Sequence, residues 1–153
     1  MTATETNDPA TGAEDVAWDI ETLVDGKGTE GALALLDRAD EMAAALTAAA
    51  KGKLADASAA EIAAWLETQA DLLEAAHRAA NYASLRFATD VADPANGALM
   101  AQIQERTAQL SAELVWFELE WLAIDEARAT ELVHTAELAS HRHHLETARL
   151  RLP

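Results

Sequence analysis

Residues 58–89 read SAAEIAAWLETQADLLEAAHRAANYASLRFAT, and this stretch decides the fold class. Ser58 followed by Glu61 is a capping box, in which each side chain satisfies the other's backbone donor at a helix start. Ile62, Trp65, Leu66, Gln69, Leu72, Leu73, Ala76, Ala80 and Ala83 then recur at three- and four-residue steps on one stripe. No Pro or Gly interrupts before Asp90. The pattern predicts a helix of ~30 residues, ~45 Å long at 1.5 Å per residue.

The flanking segments read the same way. Upstream, Leu33, Leu36, Ala43, Leu46 and Ala50 define one face of a helix over about Glu30 to Lys51, stopped by Gly52. Downstream, Asp93 is an N-cap and Pro94 the first helical residue. Ile103, Thr107, Leu110, Leu114, Phe117, Trp121 and Ile124 follow as the seam of a third long helix. A break is expected between Asp125 and Thr130. A last helix is expected from Thr135 or Glu137, with Leu138, Leu145, Ala148 and Leu152 inward. Before the first helix, Trp18, Ile20 and Leu23 are expected anchors, ended by the loop Asp25 to Gly28. Residues 1–15 are small, polar and acidic, and are expected to be a disordered tail. The expectation is one all-α domain over 16–153: three long antiparallel helices in a bundle plus a shorter C-terminal helix.

Composition supports this reading. Roughly a quarter of the 153 residues are Ala, with only 6 Gly and 3 Pro. Lys and Arg number 11 against 27 Asp and Glu, a net charge of −16. So acidic a chain lacks the electrostatic attraction that binds phosphate backbones or anionic lipid. There is no cysteine, which excludes disulfides and thiolate chemistry. The sequence shows no signal peptide and no apolar run of ~18 residues. A cytoplasmic protein is the expectation.

The common catalytic signatures are missing. There is no His-Glu-x-x-His, no Gly-x-Ser-x-Gly and no glycine-rich phosphate loop. Glu74-x-x-His77 and Glu131-x-x-His134 match the di-iron bundle motif, with Glu41 and Glu113 as conceivable partner carboxylates. However, Glu74 points roughly 140° from the apolar stripe, and the second pair falls in the expected break. Both pairs read as solvated surface. His141 and His144 share a helix face, but Arg142 lies between them, and they read as a partly exposed face. No catalytic, cofactor or metal residue is assigned.

The third helix carries a second apolar face. At 100° per residue, Val115, Leu119 and Leu122 lie roughly opposite the seam, flanked by Trp116. Either this helix is enclosed at the centre of the bundle, or these four residues contact protein outside this chain.

Several segments, in order, resemble the oligoendopeptidase F family of thimet-oligopeptidase-like zinc metallopeptidases. Val16 to Leu23 resembles the family's W-D-L-x-x-L opening, and Lys51-Gly52-Lys53-Leu54 its x-G-x-L. Asn81 to Asp90 with Asp93-Pro94 is similar to Y-A-x-L-x-x-x-x-D…D-P, and Phe117 to Glu120 to F-x-x-E-L. Leu138 to Pro153 is similar to L-x-x-Y-R-x-x-L…R-x-P-H, with His141 where the pattern has Tyr. The resemblance implies the family's amino-terminal helical domain, part of the wall and lid of a channel for oligopeptide substrates. It implies a zinc site in a separate catalytic domain, which would be this chain's partner. It carries no catalytic residue onto this chain. The alternative is a free-standing helical interaction module.

Overall fold

The computed structural model describes residues 18–150. The expected acidic tail of 1–15 and the inward Leu152 lie outside these residues. Among the described residues the chain is helical with no strand. A 3-10 turn, Ile20–Val24, precedes five α-helices: α1 Gly28–Ala50, α2 Ala59–Thr89, α3 Pro94–Ala123, α4 Glu126–Val133 and α5 Arg142–Leu150. None is long and apolar enough to cross a membrane.

The local signals act as their chemistry dictates. The Ser58 hydroxyl accepts the Glu61 N–H, and the Glu61 carboxylate accepts the Ser58 N–H at 2.9 Å. The Ser58 hydroxyl also donates to the Glu61 carboxylate at 2.7 Å, and this bond together with the one from the Ser58 N–H holds the carboxyl below its ordinary pKa. Asp93 accepts from the Ala95 N–H at 2.8 Å at the start of α3. Gly52 takes φ +80°, which ends the run after α1.

The most extensive helix contact is between α1 and α2. Many of the buried side chains of these two helices are alanine, Ala32, Ala39, Ala43 and Ala50 from α1 and Ala75, Ala76, Ala79 and Ala83 from α2, beside Leu36, Leu46, Ile62, Leu66, Leu72 and Tyr82. The third long helix brings bulk, with Leu110, Leu114, Trp116, Phe117 and Trp121 all buried. Arg106 ties α3 to α1 through Asp37, at 2.8 Å, and Asp40. In the loop between α1 and α2, Leu54 is buried, and the Gly52 N–H donates to Glu120 of α3 at 2.7 Å.

Two expectations are corrected, and at Trp116 one of two open alternatives is met. Of the three expected anchors Ile20 and Leu23 are half-buried against the core, but Trp18 is 83% exposed, and the fully buried residue of the segment is Val24. The turn presses so closely on α1 that a Cβ at Gly31 would lie 2.5 Å from the Val24 carbonyl oxygen. The expected break falls at Ile124 and Asp125 as a tight corner, and the last helix starts at Arg142 rather than at Thr135 or Glu137. Asp125 accepts the Ala127 N–H at 3.0 Å and starts α4, so the C-terminal part holds two short helices. Trp116 is also buried, at 5% exposure, and its indole N–H donates to Thr47 of α1 at 3.1 Å.

The C-terminal helices are fastened to α3. The Trp121 indole N–H donates to the Leu145 carbonyl at 2.9 Å. Arg149 donates to the carbonyls of Trp121, at 2.8 Å, and Ile124, at 3.0 Å, capping the C-terminal end of α3. Arg142 donates to the Val133 carbonyl at 2.8 Å.

This packing puts both tryptophans inside one core. Trp121→Ala and Trp116→Ala are each expected to destabilise the chain by about 3–5 kcal/mol, as large-to-small core changes do. Trp116→Phe keeps most of the volume and should cost about 1 kcal/mol, from the lost bond to Thr47. Denaturant unfolding of the three variants checks this. A negligible loss for Trp116→Ala would mean that α3 is open on its α1 side.

Candidate functional site

The outer ridge of α3 is the candidate. Val115 is 50% exposed and Leu119 59%, one helical turn apart, while Leu122 is half-buried in the next turn. Of the four residues expected there, Trp116 does not belong. It turns to α1, which leaves a narrower ridge of three.

The ridge borders an open cavity of about 330 Å³ between α2, α3 and α5. Leu73, Leu114, Val115, Phe117 and Leu145 supply apolar lining. Gln69, Ser111, Glu118, His144 and Thr147 supply polar groups. Val115 therefore belongs to both features. A concave apolar site beside an exposed apolar ridge is the shape that accepts a side chain from another protein surface.

The candidate metal residues do not converge. Glu74 and His77 are exposed on α2, as their angle from the apolar stripe requires. Glu41 and Glu113 are exposed on α1 and α3. Glu131 lies on α4 rather than in a break, and pairs with Arg128 at 3.0 Å. His134 ends α4, with Nδ1 2.8 Å from the Thr130 carbonyl oxygen. His141 is half-buried, and His144 is exposed at the cavity. Among the described residues, no three His, Asp or Glu side chains gather to hold a metal ion.

A polar network was missed in the sequence. Tyr82 is fully buried, and its hydroxyl donates to Glu21 Oε1 at 2.9 Å and accepts from Arg86 Nη1 at 2.8 Å. Glu21 Oε2 accepts the Gly28 N–H at 3.0 Å, so the start of α1 is capped from the preceding turn. Arg86 Nε donates to buried Asn96 at 2.7 Å, and Asn96 donates to the Asp90 carbonyl at 3.1 Å. The network joins the 3-10 turn to α1, α2 and α3. The available signal was a lone Tyr within an Ala-lined stripe, with Arg one turn later. Its groups satisfy one another, so it reads as structural.

No family model matches the chain, and no curated protein and no solved structure shows significant similarity to it.

Burial raises the Tyr82 phenol above its ordinary pKa, and the Glu21 carboxylate adds to the rise against the opposing bond from Arg86. The folded state thus holds this proton where the unfolded chain has lost it. The stabilisation is present below the unfolded value of about 10 and is lost as pH rises through the folded value. Tyr82 is the chain's single tyrosine, so phenolate absorbance reports it alone. The native midpoint should lie above that in denaturant. A coincident pair of midpoints would refute the buried network. Tyr82→Phe should abolish the alkaline loss of stability that this proton causes.

Proposed function

We propose that this chain is the amino-terminal helical domain of an oligoendopeptidase F-like zinc metallopeptidase. In this reading α1, α2 and α3 form a bundle of three long antiparallel helices that walls a channel and restricts access to oligopeptides. The zinc ion and its ligands belong to a separate catalytic domain, which is the partner. In this reading the protein is cytoplasmic.

The observation that carries the proposal is the exposed ridge of Val115 and Leu119 beside the cavity. It offers a place for another domain on a chain whose described residues gather no metal ligands. The ordered sequence resemblances name that domain. The second reading, a free-standing interaction module, draws on Trp116, whose burial makes the α1 side of α3 self-contained.

The purified chain with added zinc is expected to leave a quenched oligopeptide intact and to retain well under one zinc per chain after dialysis. Zinc-dependent turnover, or one tightly held ion, would overturn the proposal. The gene discriminates between the two readings. Translation onward from Pro153, or of an adjacent frame, should meet His-Glu-x-x-His. Without it in either place, the module reading stands.

A further inference from the structure

Asn96-Gly97, at the start of α3, is the only Asn-Gly pair in the chain. Glycine has no Cβ to shield its backbone nitrogen from the preceding side-chain amide. Once that nitrogen gives up its proton to solvent base, it can bond to Asn96 Cγ. The Cγ–Nδ2 bond then breaks, and the nitrogen takes a proton from water and leaves as ammonia. Water opens the resulting five-membered imide at either of its two carbonyls. Breaking the new C–N bond gives aspartate. Breaking the original peptide bond gives isoaspartate, whose main chain runs through the side chain and is longer by one methylene. The sum is asparagine plus water giving acid plus ammonia, with no redox partner.

The fold holds Asn96 away from this chemistry. The side chain is buried in the first turn of α3, at 5% exposure. Ring closure needs the Gly97 nitrogen in line with Asn96 Cβ, whereas helical ψ, about −42°, turns it away. The amide is held at both ends, Oδ1 by Arg86 Nε at 2.7 Å and Nδ2 by the Asp90 carbonyl at 3.1 Å. The Gly97 N–H is directed at the Asp93 carbonyl, at 3.4 Å. Gly97 itself is not required by the backbone. Its φ is not positive, and beyond its own helix an added Cβ would meet only Phe87, at 3.9 Å. A helix interior favours alanine over glycine, so the residue that makes Asn96 labile serves no packing need. We infer that Asn96 is a modification site, deamidated when the α2–α3 corner opens and shielded while it is closed. Both products lose the Nδ2–H that the Asp90 carbonyl accepts. Isoaspartate also lengthens the turn whose Asn96 and Gly97 N–H groups reach the Asp93 carbonyl. Each opening can thus leave a permanent change that weakens the next closure. The inference is independent of any catalytic domain.

The test holds the full chain at one mildly alkaline pH, in native buffer and in guanidinium chloride. Mass spectrometry of its peptides follows the amide-to-acid conversion at each asparagine. In denaturant Asn96 should convert far faster than Asn81, which is followed by Tyr82. In native buffer Asn96 should convert at least about tenfold more slowly than in denaturant, since only the opened fraction reacts. Gly97→Ala should bring the rate in denaturant down to that of Asn81, a readout that does not depend on how the variant folds. Converted chain, returned to native buffer, should unfold at a lower denaturant concentration than fresh chain. Equal rates in native buffer and denaturant would overturn the inference, because the fold would then give no shield. So would an unfolded-state rate at Asn96 no greater than at Asn81, or one that Gly97→Ala leaves unchanged. An unaltered unfolding midpoint after conversion would overturn it as well.

Discussion

Two alanine-lined helices cannot make a core by themselves, and much of the molecule follows from that constraint. The α1–α2 contact is the most extensive in the chain, yet a large share of its buried side chains are methyl groups. A methyl removes far less apolar area from water than a leucine or an aromatic ring. Small side chains let two backbones approach closely; Leu36, Leu46, Ile62, Leu66, Leu72 and Tyr82 supply part of the apolar bulk, and the rest of it has to come from elsewhere. It comes from α3, where Trp116 and Phe117 pack together with ring centroids 5.6 Å apart, and Trp121 lies one turn further on. A helix that must fill space toward α1, α2 and α5 together is apolar around most of its circumference. The exposed ridge of Val115 and Leu119 is the part of that circumference these helices leave uncovered.

The same constraint explains which features were legible in the sequence. Caps are local: Ser58 with Glu61, Asp93 with Pro94, and Gly52 each act within a few residues, and each does what its spacing implies. The long helices follow from periodicity for the same reason. What escaped is long-range. Whether Trp116 faces solvent or α1 depends on Thr47, sixty-nine residues away. Trp18 was one of three expected anchors of its segment, with Ile20 and Leu23, but the close contact goes to Val24, where Gly31 lets the two backbones meet. At the corner after α3, Asp125 caps α4 locally, while Arg149, more than twenty residues on, holds the Ile124 carbonyl and Glu126. The outer ridge itself was legible at Val115 and Leu119, since a doubly apolar helix shows both faces in its periodicity.

Electrostatics divides the molecule between inside and outside. With 11 basic residues against 27 acidic, cations are scarce. Arg78, Arg86, Arg106, Arg128, Arg142 and Arg149 all reach across to other elements or cap helix ends. Charge-assisted bonds to carbonyls and buried amides are stronger than exposed ion pairs, so this use of arginine stabilises the fold more than surface pairing would. One consequence is a surface more uniformly negative than the residue count conveys. Such a surface favours solubility and repels its own copies, which tempers the tendency of an exposed apolar ridge to self-associate.

An apolar ridge within a negative field is therefore selective rather than merely sticky. Apolar contact alone would accept any hydrophobic surface of suitable shape, including another copy of this chain. The chain's net charge of −16 imposes an added cost on an acidic partner and offers attraction to a basic one. The attraction extends over roughly a Debye length, ~8 Å at physiological salt, so it steers the approach, while burial of Val115 and Leu119 would set the lifetime of the contact. Because Trp116 and the Glu21–Tyr82–Arg86 network are already satisfied inside the chain, a partner need only cover the ridge and fill the cavity. Docking on this face then requires no unfolding of the domain that presents it.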